Sequence, residues 1–338
     1  MIDINDVFIV LTPFQKREME YIFPEKIKSK SSLIIKSKIV RGFNKNTNVI
    51  TLNFENFSIF KILKNPIKQI TQTRKHFTNL NKIINDLEFK YLFKNGFHLI
   101  IGSDKDHFTQ LFINKHIIKK NKNNLIAVEE GSGYYVNENI WDHIFSFFYP
   151  IISFLIFGNK INYVRCLGKD KRIHDLFLRF PELVPHKSST INYKTIPRNN
   201  KKIILKPRRK NILFFSFPEE DYNQNFDYKR ELYKHIVRHH LKTNEFLFIK
   251  PHPRENLVNL NKYVKENRNI RLIDKNILGE DLEFGNYEKI MNFSSSIVFH
   301  LFSIDYPLDK IITIGIKKKP RVSIFEKTVY LNYNSIIN

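Results

Sequence analysis

The strongest constraint on the fold is an alternation, along most of the chain, between short apolar runs and longer stretches of helical periodicity. The apolar runs are rich in β-branched and aromatic residues, as buried strands are. In the first half the predicted strands are Val7–Leu11, Asn48–Leu52, Phe97–Gly102 and Asn124–Glu129, and the predicted helices are Phe14–Phe23, Thr71–Lys94 and Phe108–Lys119. Such alternation predicts a mostly parallel sheet covered by helices.

The alternation pauses in a polar, basic and turn-rich stretch between His186 and Lys210 and then resumes. The later predicted strands are Asn211–Phe217, Glu245–Lys250, Ile270–Ile273, Tyr287–Phe293 and Lys310–Ile316, and the helices are Tyr228–Leu241 and Leu257–Asn267. A chain of 338 residues is long for one domain and sufficient for two. We therefore predict an α/β fold of two Rossmann-like domains facing a central cleft.

The predicted boundaries follow from this pause. An N-terminal domain is expected over 1–190, a linker over 191–210 and a C-terminal domain over 211–325. A tail over 326–338 has the option of returning to the N-terminal domain. Ligands of such sheets bind outside the carboxyl ends of the strands, so the residues that follow each strand are the candidates for function.

Composition excludes several classes of protein. Hydrophobic residues make up 42% of the chain, and 31 Phe and 15 Tyr argue against disorder. The single cysteine, Cys166, excludes a disulfide framework and a cysteine-based zinc site, and it favours a reducing compartment. The residues after Met1 lack the basic and apolar regions of a signal peptide, so we expect a cytoplasmic protein.

The formal net charge of +23 indicates an anionic partner. Nucleic acid is one candidate, and a basic nucleic-acid-binding protein is the alternative from a different class. However, the basic residues are spread along the whole chain, and no zinc-finger spacing, RNP motif or basic-aromatic stripe is present. An anionic membrane surface or an anionic nucleotide donor suits this distribution equally well, and we predict no nucleic-acid partner.

The longest apolar stretch, Ile144–Gly158, is too short for a transmembrane helix and contains Pro150. It has two interpretations: a buried core helix, or a segment that lies on a membrane surface. The basic residues that follow favour the second: they are Lys160, Arg165, Lys169, Lys171 and Arg172.

Acidic residues follow one predicted strand of the first half. Glu129 and Glu130 come directly after the apolar residues of that strand, and Gly131 allows a sharp turn. A carboxylate at this position is suited to take a proton from a nucleophilic hydroxyl. An acidic turn before a helix is the alternative, structural interpretation.

A rigid histidine segment ends one strand of the second half. Pro251 and Pro253 fix their own φ and hold the preceding residues extended, so His252 has a defined direction. Lys250 and His252 are both able to donate hydrogen bonds to a phosphate.

Three consecutive serines, Ser294, Ser295 and Ser296, follow a further strand of the second half. Hydroxyl groups and unpaired N–H groups at a helix start bind anions, and a plain helix cap is the alternative. No P-loop, GxGxxG or evident metal-ligand pair is found in the sequence, so no metal–nucleotide site is predicted.

These motifs, in this order, resemble those of bacterial sialyltransferases of the two-domain GT-B kind, which share an acidic pair followed by Gly, a His-Pro and a Ser-Ser. The sequence is most similar to glycosyltransferase family 52, the lipooligosaccharide and capsule sialyltransferases. Three further stretches are similar to that family: Ile9–Gln15, Ile212–Asp221 and Phe248–Glu255.

The resemblance implies an inverting transfer from a CMP-activated sugar. It implies that Glu129 is the base that deprotonates the acceptor, that His252 with Pro253 stabilises or protonates the departing phosphate, and that the serines hold that phosphate. Because the pair is Glu-Glu where Asp-containing versions are familiar, Glu130 remains an alternative base. Glu280 aligns with an acidic residue that contacts the cytidine ribose.

The ribose assignment has two rivals nearby, Asp281 and Glu283, because the proline usual in the family is replaced by Leu278 and Gly279. A monophosphate leaving group needs little charge neutralisation, so the expected enzyme uses no metal or other cofactor. The domains over 1–190 and 211–325 would bind acceptor and CMP donor respectively.

The predicted function is therefore a CMP-sialic acid transferase acting on a galactoside-ended lipooligosaccharide or capsule glycan. The near alternatives keep the fold and change the sugar to Kdo, legionaminic acid or pseudaminic acid, or make the enzyme a polysialyltransferase. A catalytically inactive interaction protein is a further class. We expect peripheral association with the inner face of a bacterial plasma membrane, and a homodimer remains an option.

Overall fold

The computed structural model describes residues 2–43, 48–52, 66–104, 106–117, 124–136, 140–158, 160–161, 167–185, 187–197, 211–219, 226–293, 295, 297–315 and 322–333. The chain divides into two compact units, Met1–Ile196 and Pro197–Asn338. Each unit is built around a parallel sheet of its own.

The first unit contains a seven-stranded sheet in which all neighbouring strands are parallel. The strands are β1 (Ile2–Val10), β2 (Ser32–Ser37), β3 (Asn48–Leu52), β4 (Tyr91–Ile101), β5 (Asn124–Val128), β6 (Ile173–Leu178) and β7 (Asn192–Thr195). Their spatial order is β3-β2-β1-β4-β5-β6-β7. The direction of the order reverses between β1 and β4, which is the point where ligands bind in sheets of this kind.

The helices of the first unit are α1 (Pro13–Ile22), α2 (Pro24–Lys28), α3 (Pro66–Lys90), α4 (His107–His116) and α5 (Ile140–Phe157). Side-chain caps define where two of them begin. The hydroxyl of Thr12 accepts a hydrogen bond from the N–H of Gln15 (3.2 Å), ahead of α1. The carboxylate of Asp106 accepts one from the N–H of Thr109 (2.8 Å), ahead of α4. Each cap satisfies an N–H group that the helix itself leaves unpaired.

The second unit contains a six-stranded sheet that is also parallel throughout. The strands are β8 (Ile212–Phe215), β9 (Leu247–Lys250), β10 (Ile270–Leu272), β11 (Lys289–Phe293), β12 (Ile311–Gly315) and β13 (Val329–Asn332). The helices are α6 (Phe226–His240), α7 (Leu257–Glu266) and α8 (Ile297–Ser303). The strand order is β10-β9-β8-β11-β12-β13, with the reversal between β8 and β11.

Both sheets have apolar side chains on the buried strands, as the sequence predicts. In the first unit Phe8, Ile34 and Ile100 belong to one core cluster and are fully buried. In the second unit Phe214 and Ile249 lie in a cluster that also includes residues of α6 and α7. The strand order of each sheet is that of a Rossmann-like domain, so the predicted fold class is confirmed.

The structure departs from the predicted boundaries at two places. Asn192–Thr195, inside the predicted linker 191–210, forms the edge strand β7, whose polar side chains carry no strand pattern. Residues 198–210 of that linker lie outside the described residues. The described part of the predicted tail belongs to the second sheet, because β13 pairs with β12. Tyr333 secures the tail there: its ring stacks on Tyr228 at 3.6 Å and its hydroxyl donates to the Tyr228 carbonyl oxygen.

An ionic cluster in the interior of the first unit connects α1 with the ends of β5 and β6. The guanidinium of Arg179 lies 2.7 Å from a carboxylate oxygen of Glu18 and 3.2 Å from one of Glu129. All three residues are buried, and the guanidinium also stacks over the ring of Phe14 at 4.9 Å. Glu129 therefore depends on this one cation, whereas Glu18 also has Arg17, whose Nε lies 3.4 Å from a carboxylate oxygen.

We expect Arg179→Met to lower the free energy of unfolding by about 3–5 kcal/mol, because it leaves the buried carboxylate of Glu129 without its cation. Burial raises the pKa of Glu129 above its ordinary value, and Arg179 is the strongest influence that lowers it. Without Arg179 that pKa rises further, so the protonated carboxyl is favoured in the folded state and stability falls as the pH rises through the folded-state pKa. Urea unfolding of the variant and of the wild type is the measurement.

The deficit of Arg179→Met should be larger at about pH 8 than at about pH 5. Arg230→Met is the control, because Arg230 pairs with Asp227 on an exposed surface, where such pairs contribute little. An equal deficit at the two pH values would show that the lost interaction is not with the carboxylates.

Candidate active site

Glu129 directly follows β5, but its carboxylate lies wholly inside the first unit. One oxygen accepts hydrogen bonds from the Tyr135 hydroxyl (2.6 Å) and the backbone N–H of Arg179 (2.6 Å), and the other from the Arg179 guanidinium (3.2 Å). The residue is 0% exposed. The carboxylate is thus enclosed by partners from its own unit, and the role of Glu129 as the base stays a prediction.

Glu130 is the member of the acidic pair with access to solvent. It is half-buried, whereas its neighbour is buried, as expected when consecutive residues of an extended segment point to opposite sides. Gly131 then adopts a φ of 123°, a conformation that side chains rarely permit, and the chain turns into the short 3₁₀ helix Ser132–Tyr135. The turn leaves Glu130 at the carboxyl edge of the sheet.

The second unit brings the ends of three neighbouring strands together. Lys250 at the end of β9 and Asn292 near the end of β11 are both in register with Phe215, the last residue of β8 between them. The residues that follow β9 and β11 include His252 and Ser295. The structure therefore places the predicted histidine and serine motifs at one edge of the sheet, at the reversal of strand order.

His252 lies in a tight turn just after β9 and is half-buried. Its backbone N–H donates to a carboxylate oxygen of Glu255 (3.0 Å), and its ring Nδ1 accepts from the backbone N–H of Arg254 (3.2 Å). Because Nδ1 is the acceptor, the proton of the neutral imidazole is on Nε2. The ring therefore has an N–H donor on the side opposite to the backbone.

Lys250 is buried and its ammonium is occupied by backbone. It donates to the carbonyl oxygens of Pro251 (2.9 Å) and Lys275 (3.2 Å), which connects the end of β9 with the segment after β10. Burial lowers the pKa of Lys250, and the nearby carboxylates of Asp274 and Glu280 act in the opposite direction. The predicted contact of Lys250 with a phosphate stays a prediction, with one N–H of the ammonium left for it.

Of the three serines, Ser295 is described, and Ser294 and Ser296 lie outside the described residues. The N–H of Ser295 donates to the amide oxygen of Asn292 (3.0 Å), and its hydroxyl accepts from the N–H of Ile297 at the start of α8 (3.4 Å). Ser295 thus has the contacts of a helix cap. Its predicted role toward a phosphate stays a prediction.

Glu280 belongs to the 3₁₀ helix Gly279–Asp281 and is half-buried, while its rivals Asp281 and Glu283 are exposed. Its charge contributes to raising the pKa of Lys250 at the end of β9. Gly279 allows the segment to approach the sheet closely, because a Cβ there would lie 2.8 Å from the ring of Phe215. Glu280 is the member of this acidic group best placed for a ligand at the edge.

The residues that sequence reasoning missed are the partners that hold the motifs. Arg179 engages Glu129 from 50 positions away, and no local pattern announces that contact. Glu255 follows His252 by three positions, so the spacing of the two residues in the sequence is a signal that could have indicated this contact across the turn. Asn292 is a fully buried polar residue in an apolar strand, and its amide donates to the carbonyl oxygen of Ile312 (3.3 Å).

Within the described part of the chain, no group of three or more His, Cys, Asp or Glu side chains is arranged to hold a metal ion. Among the helices described, none has the length and apolar character needed to cross a bilayer.

No family model matches the sequence, and no curated protein matches it either. Solved structures do match over almost the whole chain. The UDP-GlcNAc 2-epimerase of Methanocaldococcus jannaschii, in complex with UDP-GlcNAc and UDP, has a TM-score of 0.57 and 15% identity, covering 98% of this chain and 90% of that chain. The UDP-GlcNAc 2-epimerase of Neisseria meningitidis, bound to UDP-GlcNAc, has a TM-score of 0.54 and 13% identity, covering 98% and 89%.

A spinosyn rhamnosyltransferase is similar as well, with a TM-score of 0.52 and 8% identity, covering 95% of this chain and 82% of that chain. At such low sequence identity, the similarity shows the fold and does not identify a substrate. The two sheets with their matching strand order and these neighbours agree. The chain has the GT-B fold, composed of two Rossmann-like domains.

Proposed function

We propose that the protein is an inverting glycosyltransferase that moves sialic acid from CMP-sialic acid to a galactoside-terminated lipooligosaccharide or capsule glycan. The observation that carries the proposal is the edge of the second sheet. There His252, with its ring tautomer defined, follows β9 and Ser295 follows β11, while Glu280 lies close to Lys250. The resemblance of these stretches to sialyltransferases supports the same reaction.

The donor side of the reaction needs a group that accepts developing negative charge. In the proposed step the bond between the anomeric carbon and the phosphate oxygen breaks, and CMP leaves with the bonding electrons. His252 donates its Nε2–H to the phosphate, and Ser295 assists with its hydroxyl. Glu280 accepts hydrogen bonds from the ribose hydroxyls. Donors placed in advance around such an oxyanion stabilise the transition state without a metal.

The acceptor side needs a base, and we assign that role to Glu130. An acceptor hydroxyl attacks the anomeric carbon from the face opposite to CMP, and its proton passes to the carboxylate of Glu130. Glu129, which the resemblance would select, is enclosed by Tyr135 and Arg179. In this proposal Glu129 holds the segment in place and Glu130 performs the proton transfer.

A second candidate is transfer from, or epimerisation of, a UDP-sugar. It is favoured by the ligands of the two epimerases, which bind UDP-GlcNAc. Transfer of another CMP-activated sugar (Kdo, legionaminic acid or pseudaminic acid) or polysialyl transfer keeps the same groups in the same roles. The donor screen below distinguishes these candidates.

We expect the purified protein to release CMP from CMP-sialic acid in a reaction that depends on lactose and continues in EDTA. The screen includes CMP-Kdo and UDP-GlcNAc with and without acceptor. His252→Ala should reduce lactose-dependent release by about 10²-fold, as loss of one oxyanion donor does. His239→Ala, an exposed histidine on α6, is the matched control. Release of UDP without release of CMP would support the second candidate instead.

The two carboxylates of the acidic pair should respond differently to removal of charge. We expect Glu130→Gln to lower turnover by about 10²–10⁴-fold, the range of a positioned base, with CMP affinity unchanged. Glu129→Gln should reduce stability, because its charge pairs with Arg179, and folded protein should keep most of its turnover. The opposite pattern would return the role of base to Glu129. Normal turnover in both variants would remove the pair from the mechanism.

The exposed face of helix α5 is apolar, which is typical of a surface that contacts another apolar surface. Phe147 and Leu155 are 67% and 71% exposed, whereas the polar residues Asp142 and Ser153 are buried. Pro150 lies within the helix. A soluble helix normally shows the reverse arrangement. The interpretation of this stretch as a buried core helix is therefore wrong for most of its apolar side chains.

We propose an anionic membrane surface as the partner of α5, on the inner face of a bacterial plasma membrane. The helix is 18 residues long and lies near the exposed basic residues Lys160 and Lys171 in sequence. Helices with an apolar outer face and basic neighbours bind in the interfacial plane of anionic membranes. Such a location suits a lipid-linked acceptor glycan.

Vesicle sedimentation tests this partner. We expect the protein to bind phosphatidylglycerol-containing vesicles, more weakly at high salt, and Phe147→Ser/Leu155→Ser to weaken binding by about tenfold or more. Val258→Ser, which changes an exposed apolar residue of α7, is the control. Unchanged vesicle binding combined with loss of a dimer in the double variant would assign the helix to a homodimer interface.

A further inference from the structure

A second buried ionic cluster lies in the second unit, below the turn that carries His252. The ammonium of Lys229 on α6 is 0% exposed and lies 2.5 Å from a carboxylate oxygen of Glu255 and 3.1 Å from one of Glu219. It also lies 4.8 Å from the ring centre of Phe217. A lysine is rarely buried in this way unless it is paired, so the carboxylates determine where the ammonium can lie.

Glu255 connects this cluster with the histidine turn. The oxygen that meets Lys229 also accepts from the hydroxyl of Ser216 (3.0 Å). The other oxygen accepts from the backbone N–H of His252 (3.0 Å), and the N–H of Glu255 donates to the carbonyl oxygen of His252 (2.9 Å). Residues 252 and 255 therefore close the turn from both sides, in the manner of a capping box.

This turn determines the tautomer of the His252 ring. Closure by Glu255 places the N–H of Arg254 at 3.2 Å from Nδ1 of His252, which makes Nδ1 an acceptor and leaves the proton on Nε2. The contacts lead from the ammonium of Lys229 through the carboxylate of Glu255 to the backbone N–H of His252, and a separate hydrogen bond from the N–H of Arg254 reaches the imidazole. Each step is a hydrogen bond or ion pair of 3.2 Å or less.

The stretches around these residues are those that resemble sialyltransferases, Ile212–Asp221 and Phe248–Glu255. Ser216 and Glu219 belong to the first stretch, and His252 and Glu255 belong to the second. In this chain the carboxylate that closes the turn from inside the fold has its partners directly after β8, at Ser216, and on α6, at Lys229.

We infer that Glu255 is a positioning residue for His252, and that Lys229 and Ser216 hold its carboxylate in the orientation that fixes the turn and the Nε2–H tautomer. The tautomer of the His252 ring is a property of the protein without any ligand. Its consequence for donor binding rests on the proposed function of His252.

The test is ¹⁵N NMR of the histidine rings, with the His252 signals assigned from their loss in His252→Ala. We expect a single Nε2–H tautomer in the neutral ring of the wild type and a mixture of both tautomers in Glu255→Ala/Lys229→Met. The double variant removes both buried charges together, so no unpaired ammonium threatens the fold. Glu255→Gln is the second variant, with the turn-closing oxygen kept and the charge removed.

The chain offers a matched control at the other end of the same strand. Glu245 is buried, its carboxylate accepts from the N–H of Lys242 (2.7 Å), and its N–H donates to the Lys242 carbonyl oxygen (3.1 Å). Glu245→Ala therefore removes the same kind of turn closure at a distance from the histidine. It should leave the His252 tautomer as in the wild type.

An unchanged tautomer in folded Glu255→Ala/Lys229→Met would overturn the inference, and so would an equal change in Glu245→Ala. CMP titration is a separate measurement, in which we expect about tenfold weaker binding by the double variant, the effect of losing one well-placed hydrogen bond to a charged ligand. If the tautomer changes while CMP binds neither protein, the positioning role stands and the proposed donor fails.

Discussion

Each sheet depends on a buried carboxylate that is paired with a buried cation next to the end of a strand. In the first unit Arg179 holds Glu129 and Glu18, and in the second Lys229 holds Glu255. Pairs of this kind contribute little net stability, but removing one partner is strongly unfavourable. Their effect is to fix the backbone that follows the strand, and the candidate functional groups, Glu130 and His252, lie on that backbone.

The sequence predicts the fold class because the alternation of strand and helix periodicity extends along most of the chain. The apolar strands β1, β5, β9, β11 and β12 lie where those runs predict them, with shifts at their ends. The strands that were missed are β2, β6, β7 and β13. β7 and β13 have four residues each, whereas β2 carries a buried apolar run, Leu33, Ile34 and Ile35, between polar residues. All four strands are defined by backbone pairing to a neighbouring strand, which a single sequence does not reveal.

The candidate site is predicted less completely, for a geometric reason. The motif pattern identifies Glu129, Glu130 and His252, but which carboxylate is exposed depends on Arg179, which lies 50 positions away. The same holds for Lys250, whose ammonium is occupied by the carbonyl oxygens of Pro251 and Lys275. A motif shows which chemical groups come together, whereas their direction depends on contacts between distant parts of the chain.

The exposed apolar face of α5 affects the folding stability of the isolated protein. Phe147 and Leu155 are exposed in the folded protein. A membrane or detergent that binds them there, and that binds the unfolded chain less tightly, shifts the equilibrium toward the folded state by mass action. If the proposed membrane surface covers this face, the melting temperature is a joint property of the chain and its surroundings, and detergent or lipid would act on it as a ligand does. A polar outer face on the helix would then favour solubility in water and weaken the coupling between folding and membrane binding.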